Sequence, residues 1–144
     1  MDFALTGGAR LQTNQGRLLL VNYTHLRLVD QGEVLIVHFQ AGTLTDQNVI
    51  EQIGSELSDV ALEASGNRKL LVNFQGVKFM SSAMLGKLLP LHKRCKNDKI
   101  KLKMCNIAPN LMEVFKITNL TKLFDICGSE ADAVASFEKR GFFG

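Results

Sequence analysis

The chain has no tryptophan and one tyrosine against nine phenylalanines, so its core is mostly aliphatic. It has three cysteines, Cys95, Cys105 and Cys127, an odd number at wide spacing with no C-x-x-C pair. That excludes a disulfide framework and a zinc ribbon, and points to reduced thiols in a cytosolic, cytoplasmic protein. Long apolar runs are missing as well. A stretch such as Leu18 to Val21 is far too short to cross a bilayer, so no integral membrane segment is expected. Met1-Asp2-Phe3-Ala4 does not begin a basic region followed by an apolar stretch, so no signal peptide is expected. Charge of one sign is scarce too. A net +3 gives little attraction to nucleic acid or anionic membrane by itself. No H-E-x-x-H, nucleophile elbow or P-loop occurs, and His25, His38 and His92 are scattered. The chain is therefore read as no enzyme, with no catalytic residue, no metal site and no cofactor.

What is present is a globular composition, 46% hydrophobic and 22% charged over 144 residues, enough for one domain. Residues 1–22 are read as an N-terminal arm or extra strand and residues 23–144 as the domain. His25 to Val29 alternates as a half-buried strand does. Asp30-Gln31-Gly32 is a turn, and Glu33 to Gln40 completes a hairpin. Thr45 or Asp46 caps a helix whose apolar positions Val49, Ile50, Ile53, Leu57, Val60 and Ala61 follow a 3.6-residue period. Leu70 to Phe74 reads as a buried strand and Lys99 to Cys105 as an alternating one. Pro109 opens a short helix, Leu123 to Ile126 is a last strand, and Ser129 starts a final helix to about Arg140. Strands alternating with helices predict an α/β fold with a mixed or parallel sheet of about four to five strands, the helices packed mainly on one side.

Between the Leu70–Phe74 strand and the next helix stands Phe79-Met80-Ser81-Ser82-Ala83-Met84-Leu85-Gly86-Lys87-Leu88-Leu89. Two hydroxyls thus sit where a strand and turn feed an apolar helix. The first turn of a helix has unpaired N–H groups and the positive end of the helix dipole. A serine there is a good cap, and a phosphate there meets donors already in place. The pattern allows a plain cap or a charge switch. Pro90, inside the helix pattern, removes the bond to the Gly86 carbonyl and should kink or loosen the helix.

The stretch Leu71-Val72-Asn73-Phe74, Gly76 to Ser82, Leu85-Gly86, Met104-Cys105, Ile107-Ala108-Pro109, Val114-Phe115, Leu120 and Leu123-Phe124 resembles the STAS domain. In particular it is similar to bacterial anti-sigma-factor antagonists. The hairpin Val34 to Gly42 followed by Leu44 fits the family's opening, and the resemblance covers roughly residues 25 to 140. It implies a serine phosphorylated by the partner anti-sigma factor, itself a serine kinase, and restored by a phosphatase. Alignment through Phe79-Met80 and Leu85-Gly86 puts the acceptor at Ser82, with Ser81 as the alternative. The chain departs from the family pattern in having Ser81 where Asp is usual, Ala83-Met84 after the acceptor, and Thr45 with Asp46 in the loop after the hairpin. Thr45, Asp46, Lys78, Met80, Ala83, Met84 and Lys87 are the expected partner-binding residues. For Met80 and Met84, core filling is the competing reading.

Two further readings compete. Lys87, Lys93, Arg94, Lys96, Lys99, Lys101 and Lys103 form a basic cluster. No aromatic residue is interleaved with it to stack bases, so no nucleic-acid partner is expected; alternating lysines protecting an edge strand suffice as the explanation. The alternative function is a constitutive STAS scaffold in a stress-signalling or transport-associated assembly. Residues 1–22 could also support a homodimer by strand addition, the other reading being a loose terminus.

Overall fold

The computed structural model describes residues 19–67 and 69–143. A six-stranded sheet runs β1 (Leu19–Asn22), β2 (Leu26–Asp30), β3 (Leu35–Phe39), β5 (Lys69–Asn73), β7 (Lys101–Cys105) and β8 (Asp125–Cys127). β1, β2 and β3 pair antiparallel, whereas β3, β5, β7 and β8 pair parallel, so the sheet is mixed. Parallel neighbours need crossovers. These are supplied by α1 (Gln47–Asn67), α2 (Ser82–Asn97) and α3 (Pro109–Ile117), and α4 (Glu130–Phe143) closes the chain. Of the segment 1–22, Leu19–Asn22 falls within the described residues and forms the extra strand β1; residues 1–18, and the self-association expected of them, lie outside.

Alternation along the strands sorts side chains between two layers. Leu35, Val37, Leu70, Val72 and Met104 join the main core with Ile50, Ile53 and Leu57 of α1, Leu88 of α2 and Phe115 of α3. Ile36, Leu71 and Cys105 face the other way, onto Ala133 and Phe137 of α4. Three crossover helices on one face and α4 on the other accord with helices mainly on one side.

Local chemistry fixes the helix ends. Asp46, not Thr45, caps α1: its Oδ1 accepts from the Asn48 and Val49 N–H groups at 2.9 and 3.1 Å. Pro90 is tolerated inside α2, which continues through it to Asn97. Helix α2 ends with Ile100 N–H donating to the Cys95 carbonyl at 2.8 Å and Lys99, at φ 61°, donating to Lys96 at 3.4 Å. This is a Schellman closure with lysine in the position glycine usually takes.

Two expectations are corrected. The last strand is Asp125–Cys127, not Leu123–Ile126, because Asn119 turns left-handed (φ 64°) and Leu120–Lys122 form a 3-10 turn. Leu123 and Phe124 both donate to the Leu120 carbonyl and so belong to that turn. The lysines of β7 are not edge protection, because β7 lies between β5 and β8. Lys103 is buried at 6% exposure, pairs with Asp125 across the β7–β8 register, and lies 5.3 Å from the Phe137 ring centroid. Such a cation over a ring face is attractive in its own right.

Candidate functional site

Two short strands absent from the sequence reading build the site. β4 (Thr43–Leu44) follows β3, β6 (Phe79–Met80) follows β5, and they pair in parallel with Thr43 opposite Phe79 and Leu44 opposite Met80. Ser81 N–H donates to the Leu44 carbonyl at 3.0 Å, which places Thr45 and Asp46 beside Ser81 and Ser82. The N-termini of α1 and α2 thus emerge side by side.

The approach to β6 is held at several points. Val77 N–H donates to the Phe74 carbonyl at 2.9 Å, closing a turn with Gly76 at φ 87°, a conformation that suits glycine. Buried Asn73 accepts from Gln75 N–H at 2.8 Å and from Asn106 Nδ2 at 3.2 Å, and donates to Glu130 Oε1 at 2.8 Å. Lys78 N–H donates to the Gly42 carbonyl at 2.7 Å, while its own carbonyl accepts from Asn110 Nδ2 at 3.0 Å. A Cβ on Gly42 would lie 2.9 Å from the Gly76 carbonyl oxygen, so the two loops approach too closely for any larger residue.

The adjacent serines differ in role. Ser81 is the N-cap of α2, in extended backbone, with Oγ accepting from Met84 N–H at 3.3 Å. Ser82 is the first helical residue and is exposed. No acidic side chain occupies the first turn of α2 itself; the carboxylate of Asp46 stands at the start of neighbouring α1.

The other expected residues divide by exposure. Thr45, Asp46, Lys78 and Ala83 are exposed around the helix ends. Lys87 is half-buried, with its Nζ 2.9 Å from Glu51 Oε1 on α1. The hydrogen bond and charge of Lys87 lower the Glu51 pKa. Met80 and Met84 are 3% and 0% exposed and belong to the main core, so the structure corrects their assignment as contacts. In a two-residue strand successive side chains take opposite faces. With Met80 turned inward, Phe79 turns outward and is 50% exposed. Sequence reasoning named Phe79 only as part of the motif; the alternation would have flagged it had β6 been recognised.

Outside this site, the described residues contain no group of three or more His, Cys, Asp or Glu side chains arranged for a metal. No helix among them is long and apolar enough to cross a membrane. The basic cluster is divided: Lys87 pairs with Glu51, Arg94 with Asp98, and Lys103 with Asp125.

A mixed sheet opened by a hairpin, crossed over by helices and carrying a serine at the start of α2 defines the class. The model of the STAS domain family matches residues 25–133, and the chain belongs to that family. Among individual proteins it is similar to BtrV of Bordetella bronchiseptica, provisionally named an anti-sigma factor antagonist. The two are 26% identical over 110 residues, covering 76% of this chain and 92% of BtrV. It shares its fold with the anti-sigma factor antagonist SpoIIAA in its unphosphorylated form, at TM-score 0.65 and 20% identity over 79% of this chain and 96% of SpoIIAA. The phosphorylated form of SpoIIAA, from Bacillus, matches at TM-score 0.59 and 20% identity over 78% and 98% of the two chains.

Proposed function

We propose that the protein is an anti-sigma-factor antagonist, a cytoplasmic binding module rather than an enzyme. Unphosphorylated, it holds an anti-sigma factor that is also a serine kinase; phosphorylated at Ser82, it releases that partner, and a phosphatase resets it. The observation that carries the reading is the division of labour at the start of α2. Ser81 has its hydroxyl engaged in the cap, while Ser82 stands exposed at the first helical position. The contact surface is Thr45, Asp46, Lys78, Ala83 and Lys87, with Phe79 added.

The mechanism is electrostatic. A phosphoserine carries about −1.5 to −2 charges at neutral pH. The N–H groups and dipole of α2 would hold that charge without unfolding the helix, so the change stays local. Any partner surface pressed against this helix end then meets repulsion and a desolvation penalty. A loss of about 3 kcal/mol lowers affinity roughly a hundredfold.

The test is phosphosite mass spectrometry on protein from its native cells, together with partner capture by Ser82→Ala and Ser82→Asp variants. Phosphate at Ser82, and a partner held by the Ala form but lost with Asp, is the expected result. No phosphate on Ser81 or Ser82, with the same partners on both variants, would replace the switch with a constitutive scaffold.

A further inference from the structure

The α4 face of the sheet holds a pair of thiols that the proposed function does not use. β7 and β8 run parallel and bring Cys105 directly opposite Cys127 in register. Residues paired in this way share a face. Cys105 is fully buried in the layer formed with Ile36, Leu71 and Phe137, and Cys127, partly exposed, packs against the same layer. Both are free thiols. Neighbouring strands lie about 4.8 Å apart, within the roughly 4.4–6.8 Å Cα separation that a disulfide spans. β8 is three residues long, and among the described residues it stands at the sheet edge and pairs with β7 alone.

We infer that Cys105 and Cys127 are an oxidative modification site, a dithiol that hydrogen peroxide converts to an intrachain disulfide. The two sulfurs have different parts. Cys127 is the one a peroxide reaches. Its thiolate attacks one peroxide oxygen, the O–O bond breaks, and the departing hydroxide takes up a proton to leave as water, which makes Cys127 a sulfenic acid. The Cys105 sulfur then attacks the Cys127 sulfur. The S–S bond forms, the S–O bond breaks, and the second hydroxide leaves as water with the Cys105 proton. Two thiols lose two electrons, and one peroxide becomes two waters.

Burial first, then the neighbouring Glu130 and Cys127, push the Cys105 thiol up to about 12. Cys105 therefore stays protonated at neutral pH and is the second sulfur to react. Its fixed position beside Cys127 compensates for low nucleophilicity, because the second step is intramolecular. Cys95 belongs to α2 and is buried in the main core, on the other side of the sheet from this pair, and serves as an internal control.

The site is tested on the reduced full chain under native conditions. The protein is exposed to hydrogen peroxide, quenched with N-ethylmaleimide and digested with trypsin. Cys105 and Cys127 then fall on separate peptides, Met104–Lys116 and Leu123–Lys139. The expected result is those two peptides joined and lighter by two hydrogen atoms, and separated again by dithiothreitol. The oxidised chain should run as a monomer on a non-reducing gel, with Cys95 still alkylated. Cys127→Ser should abolish the cross-link, and dimedone should label Cys127 in Cys105→Ser. The inference is overturned if wild-type Cys127 ends as a sulfinic acid or an unmodified thiol, or is joined to a cysteine of a second copy. The wild-type measurement decides even if a variant fails to fold.

Discussion

Two neighbouring hydroxyls can have unrelated jobs, and Ser81 and Ser82 should separate cleanly in a stability measurement. Ser81 Oγ satisfies a first-turn N–H of α2, and loss of such a cap typically costs about 1 kcal/mol. Ser81→Ala should therefore lower the thermal midpoint by roughly 3–5 °C. Ser82→Ala removes an exposed side chain and should stay within about 0.5 kcal/mol of wild type. Equal losses from the two substitutions would contradict the assignment of the cap to Ser81. His38 offers a second test at this scale. Burial lowers its pKa below 6.5, the nearby Arg27 adds to the effect, and Glu130 partly opposes it. The folded state thus resists protonation more than the unfolded chain. The contribution of neutral His38 is complete above pH 6.5 and declines as pH falls below that value. Thermal midpoints taken between about pH 7.5 and 5.5 should fall less in His38→Gln than in wild type. A steeper fall in the variant would reverse the sign.

At the scale of elements, the helices were the most legible part of the chain. Each long helix has a recognisable start in the sequence, narrowed to Thr45 or Asp46 for α1, the Ser81–Ser82 pair for α2, Pro109 for α3 and Ser129 for α4. The structure assigns the first two caps to Asp46 and Ser81, and Ser129 Oγ accepts from Asp132 N–H at 3.1 Å. The short elements were not legible. β4 and β6 are two residues each, and nothing in Thr43-Leu44 or Phe79-Met80 marks a strand until the loops that carry them are brought together. The strand after α3 was misplaced because Leu123 and Phe124 look like strand residues but complete a turn set by left-handed Asn119. The end of α2 supplies a prediction. Lys99 holds φ 61° in a closure that favours glycine. A side chain in that conformation costs about 1 kcal/mol, so Lys99→Gly should raise stability by up to that amount in denaturant unfolding. A loss would mean that the Lys99 side chain makes a compensating contact.

For the whole molecule, the sheet positions the candidate switch. The parallel strands β3 and β5 end side by side, so the segments that follow them meet as the β4–β6 pair and present Ser82, Phe79 and Lys78 at one end of the fold. Phe79 is 50% exposed there, and an exposed large aromatic has the character of an interface anchor. Phe79→Ala should leave the unfolding free energy within about 0.5 kcal/mol of wild type. It should weaken capture of the partner bound by the Ser82→Ala form by about 1–3 kcal/mol, measured by titration with that partner. A stability loss with unchanged capture would assign Phe79 to packing instead.

The sequence by itself determined the alternation of strands and helices, the aliphatic core, the candidate caps and the serine pair at the start of α2. These follow from side-chain periodicity and local hydrogen bonding, which act over a few residues. Tertiary structure alone decided which serine is free, because that depends on the backbone geometry that makes Ser81 the cap. It decided that Met80 is core and Phe79 is surface, because the pairing of β6 with β4 sets the face, and that Met84 is core, because it lies on the side of α2 packed into the main core. It also placed the lysines of β7 inside the sheet and set Cys105 beside Cys127. Strand order and register arise from contacts between residues far apart in the chain, and no local pattern encodes them.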